Sequence, residues 1–146
     1  MADAGEISDE TPDPTVALLR SRLERGPIEL AVDGSSMGAT ISPSSTVTVV
    51  ADSTPRPGQI WALADSEGSL VVHRYKKRAS GAMVFRGDGN RSDDAPVFPD
   101  MLIGRVVAAT TDDRTIRFGW ADRLRALARH GLDALSRRLP GRRTST

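Results

Sequence analysis

Three residue types in this chain could together transfer an acyl group: a serine in a tight turn, a histidine and a carboxylate. The serine is Ser36, within Gly34-Ser35-Ser36-Met37-Gly38-Ala39-Thr40-Ile41. A serine hydroxyl is a poor nucleophile until a base takes its proton and donors stabilise the oxyanion that follows. Small residues crowd this stretch between two strand-like segments. Ser36 therefore falls where the chain leaves a sheet, with its hydroxyl exposed and its backbone N–H free. Gly34 permits an unusual backbone just before it. Met37 is apolar beside a polar run, as expected of a side chain that plugs into the core and fixes the direction of the loop. Serine-rich turns are common, and the segment alone says little.

The histidines are His73 and His130. His73 ends the apolar run Leu70-Val71-Val72, and an imidazole that ionises near about 6.5 in water suits a general base. The plainer reading is a histidine on the solvent face of a strand. His130 sits among arginines and reads as exposed. The carboxylates are Asp88, Asp93 and Asp94, in Arg86-Gly87-Asp88-Gly89-Asn90-Arg91-Ser92-Asp93-Asp94. An aspartate would hold the imidazole in one tautomer and stabilise its charged form. Alternatively these residues cap turns, since Asp and Asn tolerate unusual backbone angles, and Asp88 between two glycines suits that role. The spacing is not that of a calcium loop and lacks the closing glutamate, so no metal is expected. Arg86-Gly87-Asp88 as an adhesion tripeptide and Asn90-Arg91-Ser92 as a glycosylation acceptor are both frequent by chance.

The elements that must position these groups follow from periodicity. Val16, Leu19 and Leu23 share a face at spacings of three and four, which predicts a short helix over Thr15 to Arg25, stopped by Gly26-Pro27. From Ile28 the period becomes two. Strands are predicted over Pro27 to Val32, Thr46 to Ala51, Ile60 to Ala64, Leu70 to Tyr75, Ala82 to Phe85, Leu102 to Ala109 (broken by Gly104), and Ile116 to Phe118. Leu70 to Tyr75 and Ala82 to Phe85 form a hairpin around Lys76 to Gly81, and Pro55-Arg56-Pro57-Gly58 and Asp65-Ser66-Glu67-Gly68 are turns. Short strands joined by tight turns predict a mainly β fold, a partly rolled antiparallel sheet. Trp120 to Leu139 is predicted helical: Trp120, Leu124, Leu127, Gly131 and Leu135 form an apolar stripe opposite an arginine face. That stripe fits packing on the sheet or a partner, or an anionic membrane surface.

At 146 residues the chain suits one domain with a core of its own, and with 38% hydrophobic but 4% aromatic residues that core is aliphatic. It has no cysteine, which excludes disulfides, thiolate metal sites and a cysteine nucleophile. The net charge of +1 hides an acidic start (Asp3, Glu6, Asp9, Glu10, Asp13) and an arginine-rich end. No apolar run is long enough to cross a bilayer, and the start lacks the features of a secretion signal.

From about residue 27 to 109 the chain resembles the signal peptidase I and LexA-type serine peptidase superfamily. The nucleophile box there reads roughly Gly-x-Ser-Met-x-Pro-Thr, against Gly34-Ser35-Ser36-Met37-Gly38-Ala39-Thr40 here. Pro57-Gly58-Gln59-Ile60, Val72-His73-Arg74, the Arg86 to Asp94 loop and Ile103-Gly104-Arg105-Val106 follow in the family's order. Histidine before arginine, where the bacterial and LexA-type branches carry lysine, is similar to the endoplasmic-reticulum and archaeal type. The resemblance implies Ser36 as nucleophile, His73 as base, Asp94 as its orienting acid, Asp88 and Arg74 in support, and the Ser36 N–H as an oxyanion donor. Members often carry a second hydroxyl donor two residues before the nucleophile, where this chain has Gly34, and Ser35 is no simple replacement. Ala39 replaces a proline and Gln59 an aspartate; these departures bear on rate more than on fold.

The expected organisation is a disordered acidic tail (1–14), a short helix (15–26), a peptidase-like β domain (27–118), a basic amphipathic helix (119–139) and a disordered tail (140–146). The expected activity is that of a soluble serine endopeptidase removing a leader or tail from a dedicated peptide or protein precursor. It needs no cofactor. Its expected location is the cytoplasm, with residues 119–139 contacting a membrane surface or a partner protein. The alternative is a catalytically impaired module that binds an extended peptide or partner. A self-cleaving repressor lacks support, because residues 1–26 leave no room for a DNA-reading helix-turn-helix, and no specific nucleic acid is expected.

Overall fold

In the computed structural model the described residues are 13–112, 114–120 and 122–129. Residues 1–12 of the expected acidic tail, His130, the extension of the C-terminal helix to 139 and the tail 140–146 lie outside them. Helix α1 spans Pro14–Leu23 and starts where proline is tolerated, its Asp13 cap accepting a 2.8 Å hydrogen bond from the Thr15 N–H. The helix therefore reaches back into the stretch assigned to the loose tail. Val16, Leu19 and Leu23 are buried, as their spacing requires.

Among the described residues seven strands follow: β1 (Ile28–Val32), β2 (Ser45–Val50), β3 (Ile60–Ala64), β4 (Leu70–Ala79), β5 (Ala82–Arg86), β6 (Leu102–Thr111) and β7 (Arg114–Arg117). All pairings are antiparallel, in the order β1-β2-β6-β3-β4-β5, with β7 on β6. The fold is thus mainly β, as the period-two pattern indicated. Two details differ. The β4–β5 hairpin runs to a two-residue turn, Ser80-Gly81, whose φ values of 50° and 79° suit the twist of the flanking strands. The charged run Lys76-Lys77-Arg78 is therefore strand rather than loop. And β6 is continuous through Gly104, where a Cβ would stand 2.5 Å from the Val50 carbonyl oxygen and 2.9 Å from Leu23 Cδ1. Glycine there admits the β2 backbone and the Leu23 side chain of α1 instead of breaking the strand.

Alternation along the strands fills two cores. One face packs Val16, Leu19 and Leu23 of α1 on Val47, Val49, Ile60 and Val106, together with Met37 and Ile41. The other packs Trp61, Leu63, Tyr75, Phe85, Val97 and Leu102. Each fully buried aliphatic or aromatic side chain contributes about 2 kcal/mol, so removing α1 would forfeit several.

Residues 120 and 122–129 are helical, and this second helix (α2) docks by an unexpected side. Trp120 is 77% exposed and Leu124 56%, whereas Ala126 is 1% exposed and Asp122 reaches inward to Arg74. Of the expected stripe, Trp120 and Leu124 face outward and Leu127 is half-buried, while Asp122 meets the buried Arg74 guanidinium, which demands a carboxylate.

Candidate active site

The site is assembled by strand register. β4 pairs with β3 so that Trp61 lies opposite His73 and Ile60 opposite Arg74. Successive β4 residues face opposite sides of the sheet, so His73 shares a side with Tyr75 and Arg74 with Val72. β5 pairs Arg86 with Arg74, which delivers the loop beginning at Gly87 next to both residues. The loop returns through a 2.9 Å bond from the Asp94 N–H to the Phe85 carbonyl.

The serine arrives from the other edge. After β1 the chain turns over Ser36 to Ala39, and Met37, 1% exposed, anchors that turn in the core. The Gly38 N–H bonds the Ser35 carbonyl at 2.9 Å, and the Gly89 N–H bonds the Ser36 carbonyl at 2.8 Å. This last contact needs bare backbone. A Cβ at Gly87 would collide with the Ser36 carbonyl oxygen and stand 3.1 Å from His73 Nε2, and one at Gly89 would stand 3.0 Å from the Gly38 nitrogen. The two glycines let the loops touch directly.

The three candidates meet. Ser36 Oγ lies 2.9 Å from His73 Nε2, and His73 Nδ1 hydrogen-bonds Asp94 Oδ2. His73 is buried, 6% exposed, rather than on a solvent face. With Asp94 ionised, Nδ1 carries the proton and Nε2 is left as the acceptor toward the serine hydroxyl. Asp93 turns away to pair with Lys76 Nζ at 2.7 Å. The Ser36 N–H meets no acceptor among the described residues, so it is available as a donor. Gly34 is exposed, and a Cβ there would meet nothing within 4 Å. Ser35 is exposed too, and its hydroxyl bonds nothing among the described residues.

A second polar cluster lies beside the first. Arg74 is 1% exposed. Its Nε and Nη2 donate to the two oxygens of Asp88 at 2.9 and 2.7 Å, and its Nη1 to the Gly58 carbonyl and Asp122 Oδ2, both at 2.9 Å. Thr40 Oγ1 donates to Asp88 Oδ2 at 2.6 Å. Burial alone would raise the Asp88 carboxyl, but the hydrogen bonds from Arg74 and Thr40 and the Arg74 charge outweigh it and hold Asp88 below the usual carboxylate value. Burial disfavours the charged guanidinium in the same way, and Asp88 and Asp122 more than offset it, so Arg74 stays charged. Asp88 is thus part of a fixed ionic cluster and not merely a turn residue.

Sequence reasoning missed Asp122, Gly58 and Thr40 as parts of this cluster. An acid in the first turn of an arginine-rich helix was the one usable sign of Asp122. Thr40 lay inside the serine segment but drew no attention beside Ser36.

A groove of about 370 Å³ opens beside Ser36, lined by Leu30, Val32, Gly34, Leu70 and Val72 among others. On one side it has β1, which among the described residues pairs only with β2. Most of its lining side chains are apolar. No protein-family model and no curated protein matches the chain.

Proposed function

We propose that the protein is a serine endopeptidase of the signal-peptidase type, acting on an extended segment of a peptide or protein precursor. One observation carries this reading: the unbroken contact from Ser36 Oγ through the His73 ring to Asp94. In the reaction, Ser36 Oγ attacks the scissile carbonyl carbon while His73 Nε2 takes its proton. The carbonyl oxygen becomes an oxyanion, and the Ser36 N–H donates to it. Asp94 keeps the imidazole in the tautomer that can accept, and stabilises the imidazolium that forms. The imidazolium then protonates the leaving amine, the C–N bond breaks and an acyl-Ser36 ester remains. Water, deprotonated by His73, hydrolyses that ester and restores the serine.

The groove supports the substrate class. A strand laid along β1 would complete its free N–H and C=O groups, and the small apolar lining would take short side chains at alternate positions. The test is cleavage of an alanine-x-alanine leader peptide by the purified protein. Ser36→Ala should remove cleavage, as should His73→Ala. Unchanged cleavage in both variants would overturn the assignment.

Gly34 motivates a second reading, a module that holds an extended peptide without cutting it. Here the oxyanion has a donor from Ser36 but no hydroxyl two residues earlier. Tight peptide binding with no product after long incubation would favour that reading.

A further inference from the structure

The helix that begins at Trp120 reaches the catalytic residues without touching them. Its Asp122 bonds Arg74 Nη1 at 2.9 Å, and its Arg123 Nε bonds the Pro57 carbonyl at 2.6 Å. It is seated on Gly58, where a Cβ would stand 2.7 Å from Arg123 Cγ and 2.9 Å from the Arg123 carbonyl oxygen. Gly58 in turn bonds β4 through its N–H to the Tyr75 carbonyl, at 2.9 Å. Arg74 is next in the chain to the base His73. Through Asp88 it also holds Thr40, at the end of the serine turn. Asp88 lies between Gly87 and Gly89, whose backbones press directly on Ser36 and Gly38. A contiguous path of hydrogen bonds and bare-backbone contacts thus runs from Asp122 to both the base and the nucleophile.

We propose that Asp122 is a positioning residue for the Ser36–His73 pair, acting through Arg74 and Asp88, and that its helix is a clamp whose docking sets the catalytic distance. Arg74 has two carboxylates to satisfy it, one on the loop behind Ser36 and one on the helix. With both in place the guanidinium is fixed from two sides. With the helix carboxylate gone, Arg74 and Asp88 are free to shift together, and the Gly89 N–H carries that shift to the Ser36 carbonyl. Small displacements of reacting groups are costly: about 1 Å can cost a hundredfold in rate. Asp122, Arg74 and Asp88 are not among the residues that line the groove, so peptide binding is spared.

The effect on rate rests on the peptidase reading; the coupling itself does not. The experiment therefore has two readouts on Asp122→Asn, with Asp122→Glu as the restoring variant. The first is leader-peptide cleavage: kcat about tenfold lower, KM within twofold of the parent, and partial recovery in the glutamate variant. The second is amide hydrogen exchange: Gly38 and Gly89 should exchange about tenfold faster, and the β2–β6 ladder should be unchanged. If the parent cleaves and kcat is unaltered in Asp122→Asn, the proposal is overturned. If the parent does not cleave, the peptidase reading falls and exchange alone decides: faster exchange at Gly38 and Gly89 supports the clamp, and unchanged exchange overturns it. Uniformly faster exchange across the sheet would make Asp122 a general stability residue, which also overturns it.

Discussion

His73 and Arg74 are neighbours on one strand, and each anchors a polar cluster, yet the clusters are built to opposite ends. The His73 cluster is a row of three groups that can pass a proton: hydroxyl, imidazole, carboxylate. Its serine borders a groove. The Arg74 cluster is a closed ring of fixed charge, one guanidinium between two carboxylates, with Thr40 and the Gly58 carbonyl filling the remaining positions. A guanidinium does not give up its proton at any ordinary pH, so this cluster can hold but cannot transfer. One face of β4 is thus suited to chemistry and the other to holding that chemistry in register. Removing a member of the first cluster should cost rate; removing the guanidinium of the second should cost stability, whereas losing the Asp122 carboxylate alone, with Asp88 still on Arg74, should cost rate through position.

The sharpest way to break this contrast is Asp94→Asn. The substitution keeps the shape but favours the wrong imidazole tautomer. It should lower kcat by about a thousandfold to ten-thousandfold, with the urea unfolding midpoint nearly unchanged. A large stability loss with modest rate loss would merge the two clusters into one structural unit.

Next in size is Arg74→Met. It leaves Asp88 and Asp122 facing each other with side chains only 11% and 18% exposed. Loss of one partner from such a buried cluster costs about 3 kcal/mol, which chemical denaturation would read directly. An unchanged midpoint would show that the ring contributes little.

Gly34→Ser sharpens the catalytic side. Nothing lies within 4 Å of a Cβ there, so the fold should accept it. If its hydroxyl reaches the oxyanion, kcat should rise about tenfold or more, by the reverse of the loss seen when such a donor is removed. A rise in stability without a rise in kcat would mean that the hydroxyl points elsewhere.

The smallest effect concerns pH. Asp88 has its carboxyl held below the unfolded value, so its contribution is present above the ordinary carboxylate range and is lost as pH falls through its lowered folded value. Unfolding free energy should therefore decline below about pH 4, and Asp88→Asn should flatten that decline. An identical acid limb in both proteins would remove Asp88 from the account.

The strands were legible because alternation is local: Ser45, Val47 and Val49 declare the buried face of β2 within a few residues. Helix α1 was legible for the same reason. The exposure of Trp120 and Leu124 on the second helix was not, because the side that carries Asp122 meets Arg74, forty-odd residues away in sequence. Length of the β4–β5 hairpin was misread too, since Lys76-Lys77-Arg78 look like loop and are strand only because β5 pairs with them through Lys77 and Arg78.

From residue types and order alone, the chain declares a β sheet with a serine turn, a base on a strand and a choice of loop acids. The family resemblance singles out Asp94 beforehand, but residue types leave the choice open, and it is the tertiary structure that puts Asp94 on the His73 ring and turns Asp93 to Lys76. It also makes Asp122 a partner of Arg74. The reason is one of range: backbone periodicity is written over neighbouring residues, whereas a hydrogen bond between distant groups depends on strand register and on where a buried charge finds its counter-ion.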